Sequence, residues 1–298
     1  MILRPPTRED FDAIDALFVA GVEMYEEFAH DAEGLRQWLT SPRLDLERDI
    51  RLAYDDDRLV AYVDVDPLGE EPVRWWSAVR LHPDADFALV VPELLAWAES
   101  RAAVGVLRTW TPTNLEPLRR EFERHGMRRI RGSYRMEVEL DDHVAAPALP
   151  AGIDVRTLRE GEEPVAYEVH EETFEDVWEN VSEPYDEWRH YFVETESFDP
   201  SLWFIAWEGE RPAGLAICDV RDGVGWIRVL GVRRPWRRRG VGRALLLTSF
   251  AEFRRRGLRR AGLGVDATSL TGANRLYEAV GMKVARQLDF FEKPLGVE

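Results

Sequence analysis

The sequence predicts two consecutive copies of one α+β (α/β) plan, each a mixed and mostly antiparallel sheet flanked by helices. Three observations predict it. Segments echo one another in order: Leu3-Arg4-Pro5 and Val155-Arg156-Thr157, Asp57-Arg58-Leu59 and Gly209-Glu210-Arg211, Val79 to Pro83 and Gly231 to Pro235, all 152 apart, then His125-Gly126-Met127 and Val280-Gly281-Met282 at 155. Chance does not keep four echoes in order at nearly one offset, and a fixed internal period marks a repeat. Within each copy, strand-like runs alternate with runs of helical period and end in a closing hairpin, which argues for sheets covered by helices. Finally, 298 residues suffice for two cores. The copies are expected at 1–146 and 153–298, with a Pro/Ala linker over 141–152.

In the first copy an N-terminal strand precedes residues 8–28, where Phe11, Ile14, Leu17, Phe18 and Val22 recur at helical spacing. A hairpin turns at Asp55-Asp56-Asp57 into a strand over 59–63, and another strand is expected at 75–79. Residues 90–101 read as a helix, 106–110 as a strand and 114–125 as a helix that Asn114 can cap. Closing strands are expected at 130–140 and 283–294. In the second copy Pro164 opens a helix expected to reach residue 180. Its apolar stripe is Ala166, Val169, Phe174, Val177, Trp178 and Val181; Glu168, Glu171, Glu172, Glu175 and Glu179 fill the opposite face. A solvated surface helix shows such a face, and so does the wall of a pocket for a cation.

The stretch 226–282 organises the second copy. A strand pattern, Trp226 to Val232, is followed by Arg237-Arg238-Arg239-Gly240-Val241-Gly242 and then by a helical pattern, Arg243 to Phe253. Strand, glycines, helix is a phosphate site: the glycines permit a tight turn and close approach, and the first N–H groups of the helix point outward with the positive end of its dipole behind them. The arginines add charge that does not titrate. A second strand, 260–266, leads into Asn274-Arg275-Leu276-Tyr277, which ends at Gly281-Met282.

The Arg-x-x-Gly-x-Gly turn and the Asn-x-x-Tyr helix with its Gly-Met exit resemble the GCN5-related N-acetyltransferase superfamily. The tandem copies resemble its two-domain type, which includes mycothiol synthase. The resemblance implies acetyl-CoA as donor and a primary amine of a small molecule as acceptor, joined in one ternary complex. It further implies that the pyrophosphate rests on Arg237, Arg238, Arg239, Gly240, Val241, Gly242 and Arg243, and that the pantetheine arm pairs with the backbone at Leu230 and Val232, where Gly231 would mark a bulge. By the same match Asn274 touches the cofactor and Tyr277 protonates the leaving thiolate. The family's strand carboxylate, the general base, is replaced by Trp226, with Arg228 two residues on. Glu171, Glu172 and Glu175 are candidates for the acceptor side. Two other readings stay open: acetylation of a protein or peptide, and a non-catalytic acyl-CoA binder.

A net charge of −17 argues against nucleic acid and suits a cationic acceptor. No apolar run approaches a membrane span and no signal-peptide core follows Met1, so a cytoplasmic chain, monomeric or weakly dimeric, is expected. Cys218 is the only cysteine and reads as a buried structural thiol, and the six histidines lack ligand spacing, so no metal is expected. The first copy is expected to be degenerate. At the offset of 152, Ala85, Ala88 and Val90 stand opposite Arg237, Gly240 and Gly242; at 155, Arg119 and Phe122 stand opposite Asn274 and Tyr277.

Overall fold

The computed structural model describes residues 1–298 except 26–31, 69–73, 142–144, 176, 179–181, 222, 269–271 and 297–298. Part of the expected linker, Phe28, Glu179 and Val181 therefore lie outside the described residues. Contacts group the chain into two compact units, Met1–Ser133 with Arg286–Glu298, and Tyr134–Ala285. A single cut between 146 and 153 leaves each closing strand with its own copy; the contacts instead assign 286–298 to the first unit and 134–146 to the second.

The first unit opens with β1 (Ile2–Arg4), a 3-10 turn (Arg8–Asp10) and α1 (Phe11–Gly21). The turn forms because the Asp10 carboxylate accepts from the Thr7 N–H at 2.7 Å and pairs with Arg4 at 2.6 Å, a pairing that holds Asp10 well below the usual carboxylate range. α1 is shorter than the expected 8–28: it ends at Gly21, where an added Cβ would lie 3.1 Å from the Tyr25 ring. After α2 (Ala32–Leu39) and α3 (Leu46–Asp49) come β2 (Ile50–Asp55), β3 (Arg58–Asp64), β4 (Asp66–Leu68), β5 (Arg74–Ser77) and β6 (Val79–Leu81). The strand expected at 75–79 is thus two strands. They separate at Ala78, whose N–H donates to the buried Asp64 carboxylate at 2.6 Å instead of to a neighbouring strand. Asp64 also accepts from the Tyr62 hydroxyl at 2.9 Å and the Trp38 indole at 3.0 Å, and burial pushes its pKa up to about 6.

Next are α4 (Phe87–Ala102), β7 (Gly105–Pro112), α5 (Glu116–Arg124) and β8 (Arg128–Glu139). Leu115, not Asn114, is the cap residue of α5. Asp86 caps α4: its carboxylate takes the N–H groups of Ala88 at 3.0 Å and Leu89 at 3.3 Å. β1, β2, β3 and β6 form one antiparallel sheet; β5 pairs with β7 in parallel from Arg74↔Val106 to Ser77↔Thr109. Leu94, Leu95, Leu107 and Phe122 are fully buried in its core.

The second unit takes the end of β8 and adds β9 (Asp154–Thr157), α6 (Glu163–Phe174), α7 (Tyr185–Phe192), β10 (Trp203–Glu208), β11 (Arg211–Arg221), β12 (Val224–Val232), α8 (Val241–Arg255), β13 (Arg260–Asp266), α9 (Ala273–Ala279) and the start of β14 (Lys283–Leu295). Its sheet runs β8-β13-β12-β11-β10-β9, with β12 and β13 parallel and β9 to β12 antiparallel. One face packs on α8 through Leu245, Phe250 and Phe253, the other on α6 and α7 through Ala166, Val169 and Trp188. α6 stops at Phe174, short of residue 180; the Val177 N–H bonds to the Phe174 carbonyl at 2.8 Å in a turn, and Val177 is exposed. The rest of β14 belongs to the first unit, where Leu288–Leu295 pair antiparallel with β7 and Asp289 takes Arg129 at 2.7 Å.

Candidate active site

β12 carries an irregularity, and it is not at Gly231. Ile217 opposes Val229 while Cys218 opposes Ile227, so Arg228 is the extra residue of a bulge. Two successive side chains thereby turn to one face. Ile227, Leu230 and Val232 pack on the α8 side, whereas Val229 joins the α6/α7 core and Arg228 lies 4.3 Å over the α7 residue Phe192. Gly231 pairs regularly with Leu215 and serves the packing instead. A Cβ there would fall 2.1 Å from Thr173 Oγ1, so its absence lets α6 lie against the strand.

Parallel pairing of β12 with β13 covers only Gly225↔Ala261 to Ile227↔Leu263. Past the bulge no register joins them among the described residues, and residues 228–232 present a backbone edge along which an extended chain can hydrogen-bond. β12 runs on through a 3-10 turn (Arg234–Trp236) to α8. Gly240, the cap residue, has φ 86°, and Arg238 before it also has positive φ. No side chain caps α8, so the N–H groups of Val241, Gly242 and Arg243 keep no intrahelical acceptor. A Cβ on Gly242 would meet Leu276 of α9 at 3.1 Å; bare glycine lets α9 close on the first turn of α8.

The arginines divide their work. The Arg237 guanidinium donates to the Val232 carbonyl at 3.0 Å, and Arg239 pairs with Glu208 at 2.6 Å. Glu208 also accepts the Trp236 indole N–H at 3.1 Å, which ties the turn to the sheet. Arg238 and Arg243 make no ion pair or hydrogen bond among the described residues, and they are the two side chains available to an incoming anion.

Asn274 and Tyr277 share one face of α9. The Asn274 amide donates to the carbonyls of Asp266 at 3.2 Å and Ala267 at 3.1 Å, pinning α9 to the end of β13; its Oδ1 is buried with no hydrogen-bond partner. Tyr277 is 7% exposed, and burial pushes its pKa up to about 12, so the phenol holds its proton throughout the neutral range. An orphaned acceptor, uncapped helix N–H groups and an unpaired strand edge together fit a long ligand with amides in its arm and phosphate at its end. Among the described residues no group of His, Cys, Asp and Glu could hold a metal ion.

On the other face the expected carboxylates are engaged. Glu172 pairs with Arg233 at 2.7 Å and Glu175 with Arg234 at 3.2 Å, so both brace the turn between β12 and α8; Glu171 accepts from the Ser182 hydroxyl. Trp226 lies across Gly262, where a Cβ would come within 2.7 Å of its ring, and the Arg135 guanidinium stacks on it at 4.9 Å. Arg228 donates to the Tyr191 carbonyl at 3.1 Å and stands 3.8 Å from Asp219, which Arg221 holds at 3.0 Å. His170 of α6 sits among aromatic rings, 4.7 Å from Phe174 and 5.4 Å from Phe192, and its Nδ1 accepts the Trp188 indole N–H at 2.7 Å. The neutral ring therefore carries its proton on Nε2. Burial, with the nearby Arg228 charge second, lowers its pKa to about 4.

The model of the acetyltransferase (GNAT) family matches residues 164–282. A mycothiol acetyltransferase of Thermobispora bispora is 31% identical over 238 residues, 77% of this chain and 78% of that protein. The chain belongs to the GNAT family and is an N-acetyltransferase. A crystal structure of a GCN5-related N-acetyltransferase from Sphaerobacter thermophilus superposes with TM-score 0.78 at 32% identity, covering 100% of this chain and 97% of that one. A tandem GNAT protein from the clavulanic acid biosynthesis pathway shares the fold at TM-score 0.75 and 15% identity, over 100% and 99%.

In this GNAT chain Leu230, Val232, Val241 and Tyr277 share one core cluster, Gly242 lies against Val232 and Leu276, and Asn274 stands one turn before Tyr277 on α9. Arg237 and Arg239 are turned to protein partners, and Glu171, Glu172 and Glu175 to Ser182, Arg233 and Arg234. Sequence reading missed Thr173 and His170, and noted Arg228 only as standing two residues past the place of the absent carboxylate. Thr173 follows Ala166 and Val169 at helical spacing and left a signal there, passed over because threonine is polar. Cys218 is buried and donates to Ser249 at 3.5 Å, and burial pushes its pKa up to about 12, as a structural thiol requires.

Proposed function

We propose that the second unit transfers an acetyl group from acetyl-CoA directly to a primary amine of a small molecule. The observation that carries this reading is the uncapped α8 N-terminus behind Gly240, standing beside the unpaired edge of β12 with Tyr277 on the adjoining helix. Arg238, Arg243 and the N–H groups of 241–243 receive the pyrophosphate; the 228–232 edge and Asn274 Oδ1 receive the arm. A backbone N–H near the bulge holds the oxyanion as the amine adds to the thioester carbon. The C–N bond forms, the C–S bond breaks, and Tyr277 gives its proton to the departing sulfur while the amine loses one to water. The mycothiol acetyltransferase relatives make a small-molecule acceptor the first class to test.

The first unit contributes no second donor site in this reading. Where α8 leaves its first N–H groups open behind Gly240, α4 has them filled by the carboxylate of Asp86. The cap residues stand opposite each other at an offset of 154 (86 to 240), two more than the sequence echoes give. Like charge and an occupied donor pair both oppose phosphate there.

The test is Tyr277→Phe in a thiol-release assay over a panel of amines. kcat is expected to fall by about 10²- to 10⁴-fold with acetyl-CoA affinity unchanged. Wild-type kcat across the pH range would reduce Tyr277 to a packing residue.

A further inference from the structure

Resting on that reading of the donor site, we propose that Arg237 sets donor specificity: its guanidinium and the pantetheine arm compete for one backbone carbonyl, and a diphosphate on the donor decides the contest for the arm. Arg237 opens the Arg-x-x-Gly-x-Gly turn, five residues past Val232 and three before Gly240. Donors without a diphosphate, such as the phosphopantetheine arm of a carrier protein, are therefore refused.

The alternation of β12 decides which of its groups meet the arm. The Arg233 N–H donates to the Ala213 carbonyl at 3.0 Å, and next to it Val232 opposes Gly214 of β11 in an antiparallel register. Neighbouring residues of a strand aim their polar groups at opposite edges, so Val232 turns its N–H and its carbonyl away from β11. On that open side the carbonyl is the acceptor that an amide of an extended ligand needs. Arg237 reaches the same oxygen, with Nε at 3.0 Å. A Cβ on Gly242, in the first turn of α8, would come 3.5 Å from Val232 Cγ2, so the contested residue lies beside the turn that receives the phosphates in the reading above.

The chemistry of the acceptors gives the direction of the switch. A guanidinium bonds a neutral carbonyl more weakly than an anionic phosphate oxygen, where both partners are charged. A diphosphate at the N–H groups of 241–243 offers such oxygens; it draws the guanidinium from Val232 and leaves the carbonyl to the arm. Arg239 gains less by moving, because Glu208 already supplies a carboxylate at 2.6 Å. A carrier-bound arm brings one phosphodiester charge where coenzyme A brings two, and S-acetylpantetheine brings none. The two halves of the donor then help each other to bind, each by the same factor.

The experiment titrates the full chain with the two halves of the donor, S-acetylpantetheine and 3′-phospho-ADP, separately and together, in the wild type, Arg237→Met and Arg237→Lys. In the wild type the nucleotide half is expected to tighten binding of the arm by at least about 10-fold, the size expected when one hydrogen bond is freed from a charged competitor. Arg237→Met should bind the arm alone about 10-fold tighter than the wild type, and the nucleotide should then add less than about 2-fold. Arg237→Lys, which keeps a cationic donor, should bring the enhancement back. A merely structural role for Arg237 moves the arm's affinity the other way, downward on its removal. An arm affinity that a folded Arg237→Met leaves unchanged or lowers overturns the inference, and leaves the donor site standing as long as 3′-phospho-ADP still competes with acetyl-CoA. Should the variants fail to fold, halves that bind the wild type independently of each other overturn it equally. Failure of 3′-phospho-ADP to compete with acetyl-CoA in the wild type removes the reading of the site beneath it as well.

Discussion

Gly231→Ala puts the contact between α6 and β12 to a direct test. The new methyl carbon would stand 2.1 Å from Thr173 Oγ1 and 2.7 Å from Thr173 Cβ, where ordinary contacts begin near 3.4 Å, so α6 or the strand has to move by more than 1 Å. Thr173 cannot swing aside, because its hydroxyl is bonded to the Val169 carbonyl at 2.7 Å and its Cβ is fixed by the helix. Overpacking of this kind costs about 1–3 kcal/mol. In a unit of this size each kcal/mol lowers Tm by about 2–4 °C, which gives a loss of about 2–12 °C. Moving α6 also drags Glu172 and Glu175, and with them Arg233 and Arg234 ahead of α8, so acetyl-CoA binding should weaken too. Denaturant unfolding of Gly231→Ala, Thr173→Gly and the double variant reads the coupling; the double variant should recover at least about 1 kcal/mol relative to additivity. A Gly231→Ala chain within about 0.5 kcal/mol of wild type, or strict additivity, would refute the contact as the reason for the glycine.

Further outcomes follow from other sites. Asp64 has a folded pKa raised to about 6, so the folded chain binds the extra proton between about pH 4 and 6 and its stability falls as pH rises through that window. Asp64→Asn should flatten this slope, worth about 3 kcal/mol across the window, in unfolding series at pH 4.5 and 7.5; an unchanged slope would contradict it. Asp86→Ala should cost about 0.5–2 kcal/mol by removing the α4 cap, read by denaturant unfolding. Calorimetry should give one tight acetyl-CoA per chain in the wild type, and two independent sites would end the assignment of the donor site to the second unit alone. Gly240→Val should abolish that one site, since β-branched residues do not adopt φ 86°; retained affinity would disprove the role of the turn.

Much of the donor side was legible because glycine spacing and helical period are local. Gly240 and Gly242, Asn274 and Tyr277 announce a turn and a helix face within a few residues. The acceptor side was not, because it depends on which partners long side chains choose. An acidic stripe on α6 looks the same in sequence whether its carboxylates face a substrate or, like Glu172 and Glu175, reach arginines some sixty residues further on. Bulges are equally hidden: glycine drew attention to 231, while the extra residue is Arg228, set by the register of β11 against β12. The helix over 164–180 failed for another reason. Apolar residues at 177 and 178 kept the period after the hydrogen bonds had turned off at Phe174.

The route of the chain bears on how such a molecule is made. Residues 134–139 leave the first unit to complete the sheet of the second, and 286–295 come back to complete the first. A nascent chain stopped after residue 133 thus lacks the strand that β7 needs, with Leu107 lacking its partner Lys293 and Thr109 lacking Phe291. Domains generally fold in the order in which the ribosome delivers them. Here that order is inverted, since the second unit has all its residues once 285 emerges while the first still waits for the thirteen of 286–298. Gene fragments cut near residue 150 would each carry the other's strand as an unpaired edge, a recipe for intermolecular pairing.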